Sequence, residues 1–583
     1  MPLTRRRLVG MSASLGVAAA LAPQRDAAAA APLPQAAASI SAELIALNRI
    51  GYGPRPANSP LTSDPASFPG DLARVQQLGL DAYIEQQLNP ETIDDSFCES
   101  KILDARLETA NGVSPLNYLN SPVTALWNLA DFGMSMDYSE RMRPWYEVRA
   151  ATVIRAIYSE RQLVEVLVDF WHNHFSVNAG ADVAHSVGFP DYDRIMRQYC
   201  LGNFREFVEA VGKSTSMMYS LDNYSNRAGG GEAGNENYAR ELFELHTLGS
   251  DNYLKFYNNT DLVDTITYNG EPFVRGYIDV DVYEAAECFT GWSIANGDWR
   301  LPDPQPDTGE FIYVPSWHSS GIKIVLGEQI KNTQSSSDYM KDGRQVYDLV
   351  CRHIGTARYL CTKLCRRLIA DNPPADVIEA AVAEWMAHRD SPDQIKRVVR
   401  VILNSNAFRS TWGQKVKRPF DFLISYIRAT GAVLPLVDTT ASDGDRWNGL
   451  FWNLGNTGHR LYEWPTPTGY PDLASYWLST NGMLRRWNLP YLLTVSWSEI
   501  GAQLDLLAQT DTSRTCTQIV DDWIDKLYGY AVSANTRTTL INFLAQGGNV
   551  DAAPVLLSGE STLKERIECM VHLMAMAPEF QLR

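Results

Sequence analysis

Apolar positions in this chain recur at spacings of three and four over most of its length beyond residue 40. That is the repeat of one buried face on an α-helix. The first such stretch, 41–48, runs into Asn48-Arg49-Ile50-Gly51-Tyr52-Gly53-Pro54, a helix stop followed by a tight turn. Residues 68–88 read as a second amphipathic helix. From 123 to 177 the pattern is helical almost throughout, with one helix over 141–158 and another from 161 to about 174. Stretches 191–200 and 204–213 continue it, separated by Gly202-Asn203. The same period marks 282–289, 345–353, 357–369, 376–388, 391–404, 419–430, 473–488, 516–528, 534–546 and 562–576. The expected fold is mainly α: a large multi-helix body with long irregular loops.

The period fails in three places. Between 249 and 277 Asn, Asp, Tyr and Thr dominate, and β-branched alternation near 263–267 predicts a small β hairpin. Residues 293–335 mix Pro, Gly and aromatics and read as irregular or short β structure. Residues 443–470, rich in Trp, Gly and Pro, read as a loop. These breaks suggest a helical half over 32–300, an irregular connection over 301–340 and a second helical half over 341–583.

Ahead of them, Thr4-Arg5-Arg6-Arg7-Leu8-Val9 precedes a weakly apolar run to Leu21 and small residues with an A-x-A site near 27–31. Paired arginines, a mild apolar region and a small-residue cleavage site describe a twin-arginine export signal over 1–31. The expected location is periplasmic or secreted, with polysaccharide or another envelope component as candidate partner. No later run is long and apolar enough to span a bilayer. Twin-arginine export carries proteins already folded, often with a cofactor in place.

Composition narrows the partners. The 583 residues are 45% hydrophobic, enough for a sizeable core. A net charge of −17 argues against nucleic acid or an anionic membrane, because both reward clustered Lys and Arg. The 15 Trp and 27 Tyr supply flat rings of the kind that line sugar sites and, more commonly, cores. Eight Cys in so long a chain make no disulfide scaffold, and no Cys/His zinc spacing occurs. Cys361 and Cys365, four apart on an expected helix, are placed to pair or simply to pack.

Candidate chemistry concentrates in 235–249, which follows the Gly-rich run 226–234 and reads NENYARELFELHTLG. Asn235 can cap a helix there and Gly249 can close it. On a straight α-helix with Glu236 at zero, Arg240 falls at about 40°, Glu244 at about 80° and Glu241 at about 140°. Glu236, Arg240 and Glu244 then form an i, i+4 ladder. His246 lies about 160° from Glu244, on the apolar side. That stretch therefore holds half a site, and a partner must come from elsewhere.

The partner is Phe170-Trp171-His172-Asn173-His174-Phe175. If the preceding helix continues through it, His174 shares the apolar face with Leu163, Leu167 and Phe170, and His172 lies beside Asp169 and Glu165. If the chain is extended, His172 and His174 point the same way, as metal-binding HxH pairs do. Packing the two stretches together would gather His172 or His174, His246 and Glu241. That set suits a transition metal such as zinc, iron or copper. The same region serves metal-free chemistry. Asn173, His174, Tyr238 and Arg240 are the residue types of a uronate lyase, and Glu241 or Glu244 could be one acid of a glycosidase pair. Each His is also accounted for as a core residue bonded to a carbonyl or carboxylate, in a non-enzymatic envelope or scaffold protein. Gly229-Gly230-Gly231 lacks the Lys-Ser/Thr of a phosphate loop and reads as a flexible loop.

Taken together, these motifs resemble the bacterial "domain of unknown function 1800" family. The resemblance runs from about Ala42 to Phe580. It covers Leu47-Asn48-Arg49 with Gly53-Pro54, the FWHNHF segment, and the 235–249 motif. It also covers Asp281-Val282, Thr290-Gly291-Trp292, His318 with Gly321 and Lys323, and Pro578-Glu579-Phe580. The segment 250–276 is longer than the family's turn, Ser319 stands where Asp is expected after His318, and Gly469-Tyr470-Pro471 replaces Gly-Trp-Pro. The resemblance implies no assigned reaction. It does imply that the two central motifs belong to one unit.

Overall fold

Ser41 starts the first helix, Ala42–Arg49, its hydroxyl accepting from the Leu44 amide. The helix ends in a buried arginine rather than a solvated one. Arg49 donates to the carbonyls of Leu368, Thr411 and Arg583, so an N-terminal element is pinned into the C-terminal half of the chain. Ala37–Arg583 form one compact unit. The structure, a computed structural model, describes residues 40–583 except 110–111, 132–134, 229–233, 256–262, 302–306, 332–339, 438–445, 495–499 and 556–561. The export signal at 1–31 and the glycines 229–231 lie outside the described residues.

The fold is mainly α. Helices Arg143–Tyr158, Gln162–His174, Val183–Tyr199 and Phe204–Lys213 form the N-terminal core, and Ile354–Leu368, Ala375–Ala387, Gln394–Leu403 and Pro419–Thr430 follow. Their shared centre is aromatic. Trp171 packs on Phe207 with centroids 5.2 Å apart, Phe175 on Phe207 at 5.1 Å, and Phe204 on Trp385 at 5.2 Å. Trp171 also donates to the Cys200 carbonyl, which leaves no polar cost for burying its indole.

Among the described residues the β structure is four two-stranded antiparallel hairpins. One is the hairpin expected after residue 249, with Thr265–Tyr268 paired to Glu271–Val274. Asn269 and Gly270 both take positive φ there, the two-residue turn that matches strand twist. Two more fall in the 293–335 region, Trp292–Ile294 with Phe311–Tyr313 and Ile322–Val325 with Glu328–Lys331.

Several element boundaries differ from the sequence reading, among them that the 473–488 stretch is two helices, Ala474–Trp477 and Thr480–Thr494. Residues 68–88 are two helices, Asp71–Leu78 and Leu80–Leu88, broken at Gly79 with φ +89°. The helix expected from 191 begins eight residues earlier, at Val183. Asp182 caps it by accepting from the His185 amide, and Pro190 lies inside at the loss of one ladder bond. Part of the loop expected at 443–470 is a helix, Arg446–Asn456, that buries Trp447, Leu450 and Leu454. Its Trp and Gly content hid an amphipathic period. None of the eight Cys is in a disulfide. No helix among the described residues is long and apolar enough to cross a membrane.

Candidate functional site

The Gln162–His174 helix does continue through the FWHNHF segment, and its two histidines face different surroundings. His172 Nε2 meets Asp193 Oδ1 at 3.0 Å. Asp193 also binds Arg197 at 2.8 Å and Arg155 at 3.5 Å, and Arg197 reaches Glu165 at 2.8 Å. Arginine on both sides holds the Asp193 carboxyl far below the usual range despite its burial. Each charge in this network has an opposite partner.

His174 is placed otherwise. Its Nε2–H donates to the His246 carbonyl at 3.1 Å, and Lys363 Nζ donates to its Nδ1 at 2.9 Å. These two bonds require a neutral ring carrying its proton on Nε2. Burial, with the Lys363 charge acting the same way, holds the imidazole well below its ordinary pKa. The His246 ring lies 6.2 Å from that of His174, centroid to centroid. Its buried Nε2 has no hydrogen-bond partner among the described residues, and burial followed by Lys363 pushes its pKa down to about 3.

His246 reaches this position through a feature invisible in the motif. Asn237–Glu241 is α-helical, but Leu242–His246 is a π turn, which widens the helix and rotates the residues after Glu241. Gly249 closes the element as expected, with φ +86°. A Cβ there would lie 2.6 Å from the Tyr359 ring, so only glycine fits. Arg240 pairs with Glu236 at 2.9 Å, but its second partner is Asp279 at 3.3 Å in place of the expected Glu244. Glu241 and Glu244 stand together half-buried. Burial, then the Glu244 charge, raises the Glu241 carboxyl to about 7.

The remaining site candidates separate. Tyr238 is in the core, its hydroxyl 2.6 Å from that of Tyr347, beneath Gly212, where a Cβ would collide with both oxygens. Asn173 is structural in its contacts: its amide donates to the Tyr470 carbonyl at 2.9 Å and accepts from the Tyr470 amide at 2.7 Å. Among the described residues no group of three or more His, Cys, Asp or Glu side chains is placed to hold a metal ion. The donors also fit a metal poorly: His172 is committed to Asp193, both nitrogens of His174 are engaged, and an ammonium sits 2.9 Å from one of them. His318 finds a carboxylate after all, from Asp342 at 3.2 Å in place of the Asp missing at 319, and Lys323 closes that group at 2.8 Å from Asp342.

His174 and Lys363 open on a cavity of about 150 Å³ whose wall also carries Asn173, Arg366, Arg367, Arg418, Tyr470 and Asp472. Arg367 is neutralised by Asp169 and Asp421, each at 3.1 Å, and Arg418 pairs with the same two acids. Asp472 pairs with Lys415 at 3.0 Å. Lys363 and Arg366 are left without a carboxylate at ion-pair distance among the described residues. Burial, opposed in part by Asp472 and reinforced by Arg366, pushes the Lys363 amine down to about 8. The sequence reading missed both cations. They lie on the Ile354–Leu368 helix, where Lys363, Arg366 and Arg367 look like an ordinary solvated face. No local signal marked them, since the neighbouring Arg367 has the same appearance in the sequence and is 1% exposed in the fold.

A mainly helical protein with a cation-rich cavity walled by the Gln162–His174 and Ile354–Leu368 helices is the class these features define. Residues 45–582 match the family described as a protein of unknown function, DUF1800, and the chain belongs to that family. Neither the curated proteins nor the solved structures contain a match to it.

Proposed function

We propose that this protein is an exported enzyme that binds the carboxylate of a small organic acid or sugar acid in the His174–Lys363 cavity and moves a proton at the neighbouring carbon. One observation carries this reading: the Lys363 amine is held on a neutral histidine at the wall of a cavity, with no carboxylate to pair it. An amine near 8 is a working general base at neutral pH, because a usable fraction is unprotonated. Arg366 takes the carboxylate through its planar guanidinium, whose paired N–H groups match a carboxylate's two oxygens. With the carboxylate so held, Lys363 accepts the α-proton, and the electron pair moves into the carboxylate as an enediolate stabilised by Arg366. His174 fixes the amine's position through Nδ1, and its own bond to the His246 carbonyl fixes the tautomer that makes this possible.

The twin-arginine pattern near the start supports the exported location, and a fusion of residues 1–40 to a reporter that needs folded export tests it. The activity is tested by incubating the protein in D2O with a panel of uronates and hydroxy acids and following the α-proton by NMR. Deuterium should enter at the α-carbon of at least one acid. Lys363→Met should slow entry by about 10²-fold or more, the ordinary contribution of a general base. Exchange that persists in Lys363→Met would sink the assignment, and so would its absence across the panel.

A further inference from the structure

The cavity does not end at its charged wall. Thr468 and Tyr470, both part of that wall, continue into a run of aromatic rings. Tyr470 packs on half-buried Trp464 with centroids 4.4 Å apart, and Trp464 meets Tyr476 edge-on at 6.0 Å. The Trp464 indole donates to Thr468 Oγ1 at 3.1 Å, which ties the ring to the exposed threonine at the cavity's edge. Tyr476 is 39% exposed. Core aromatics need no such opening to solvent, and these rings adjoin a cavity wall that carries Lys363 and Arg366.

The shelf is held rigidly. Gly469 has φ +68°, and a Cβ there would lie 2.0 Å from the Asn173 carbonyl oxygen, so the loop lies directly on the end of the Gln162–His174 helix. Two hydrogen bonds between Asn173 and the Tyr470 backbone lock it there, and the Tyr470 hydroxyl exchanges bonds with both backbone groups of Arg460. Asn173 is thus a positioning residue that sets the spacing between cation pair and aromatic shelf.

We propose that this combined site reads an acidic sugar unit within a glycan chain. The unit's carboxylate sits on Arg366 beside Lys363, and its neighbouring sugar lies against Trp464 and Tyr476, whose rings stand edge to face. Charge sharpens the class further. A chain of net charge −17 repels a dense polyanion, while two unpaired cations suit a single carboxylate. The fitting ligand is a mostly neutral oligosaccharide carrying isolated uronates.

This inference rests on the carboxylate reading above, and calorimetry with four probes, polygalacturonate among them, separates the two. Xylotriose bearing one glucuronate should bind about tenfold or more tighter than free glucuronate, and plain xylotetraose should bind weakest. Trp464→Ala and Tyr476→Ala should reduce the acidic oligosaccharide to the level of free glucuronate and leave glucuronate itself unchanged, while Trp464→Phe should retain most of the gain. Arg366→Gln should weaken both acidic probes. Equal affinity for oligosaccharide and monomer, or no effect of either aromatic variant, overturns the glycan inference and leaves the carboxylate site standing. Tighter binding of polygalacturonate overturns the isolated-uronate claim. No binding of glucuronate overturns both.

Discussion

His172 and His174 stand two residues apart on one helix and are both buried, yet one lies in a closed network and the other in an open one. Around His172, Asp193, Arg197, Arg155 and Glu165 pair off without remainder. Around His174, the charge nearest the ring is a lysine of the same sign that the imidazole would acquire. A closed network of buried charges specifies packing, and breaking it leaves an unpaired ion. An open one holds a group in a state it would leave if it could, which is the condition of a residue poised for chemistry. The two nitrogen-bearing rings look alike in the sequence and are distinguished by what the rest of the fold brings to them.

The contrast can be broken most forcefully on the closed side. Asp193→Ala leaves Arg155 and His172 without a carboxylate and Arg197 with Glu165 alone, and should cost about 3–5 kcal/mol of stability, read by denaturant unfolding. On the open side the opposite is expected. Lys363→Met removes a half-buried cation without breaking an ion pair, so unfolding stability should stay within about 1 kcal/mol of the parent or rise, even though exchange activity is lost. A loss as large as that of Asp193→Ala would make Lys363 a structural residue.

A smaller effect separates the two regions by pH. The imidazoles of His174 and His246 titrate well below 6.5 in the folded protein, so between pH 6.5 and about 3 the unfolded chain binds more protons than the folded one. Stability should therefore fall as pH drops through that range. His246→Phe should flatten part of the fall in a pH series of thermal melts. Glu241 runs the other way and is the smallest term. Its carboxyl titrates at about 7 folded, against an ordinary value near 4.5, so stability is lost as pH rises from 4.5 to 7. Glu241→Gln should remove that slope and raise the melting temperature slightly at pH 8.

Much of the fold was legible because helix formation follows local periodicity. Gly249 was readable because a position that takes positive φ favours glycine. The π turn at Leu242–His246 was not, because the shift from an i+4 to an i+5 bond has no characteristic residue. Projection on a straight helix consequently placed Glu244 as the partner of Arg240, a role that Asp279 fills. The candidate site was legible by half. His174 and His246 do come together, but Lys363 reaches His174 across 189 residues of chain, and no local pattern marks a helix-face lysine as one that will lack a counterion. Tyr238, Arg240 and Asn173 were read from the two motifs as one set, and their hydrogen bonds go to Tyr347, Asp279 and Tyr470.

The most direct test is the titration of the Lys363 amine itself, followed by NMR after reductive ¹³C-methylation, with Lys363→Arg identifying the signal. An unpaired amine in a cation-rich cavity should titrate near 8, and saturating glucuronate should move it upward by placing a carboxylate beside it. A Lys363 signal that titrates above 10 and does not respond to carboxylate ligands would contradict the assignment of this cavity as the functional site.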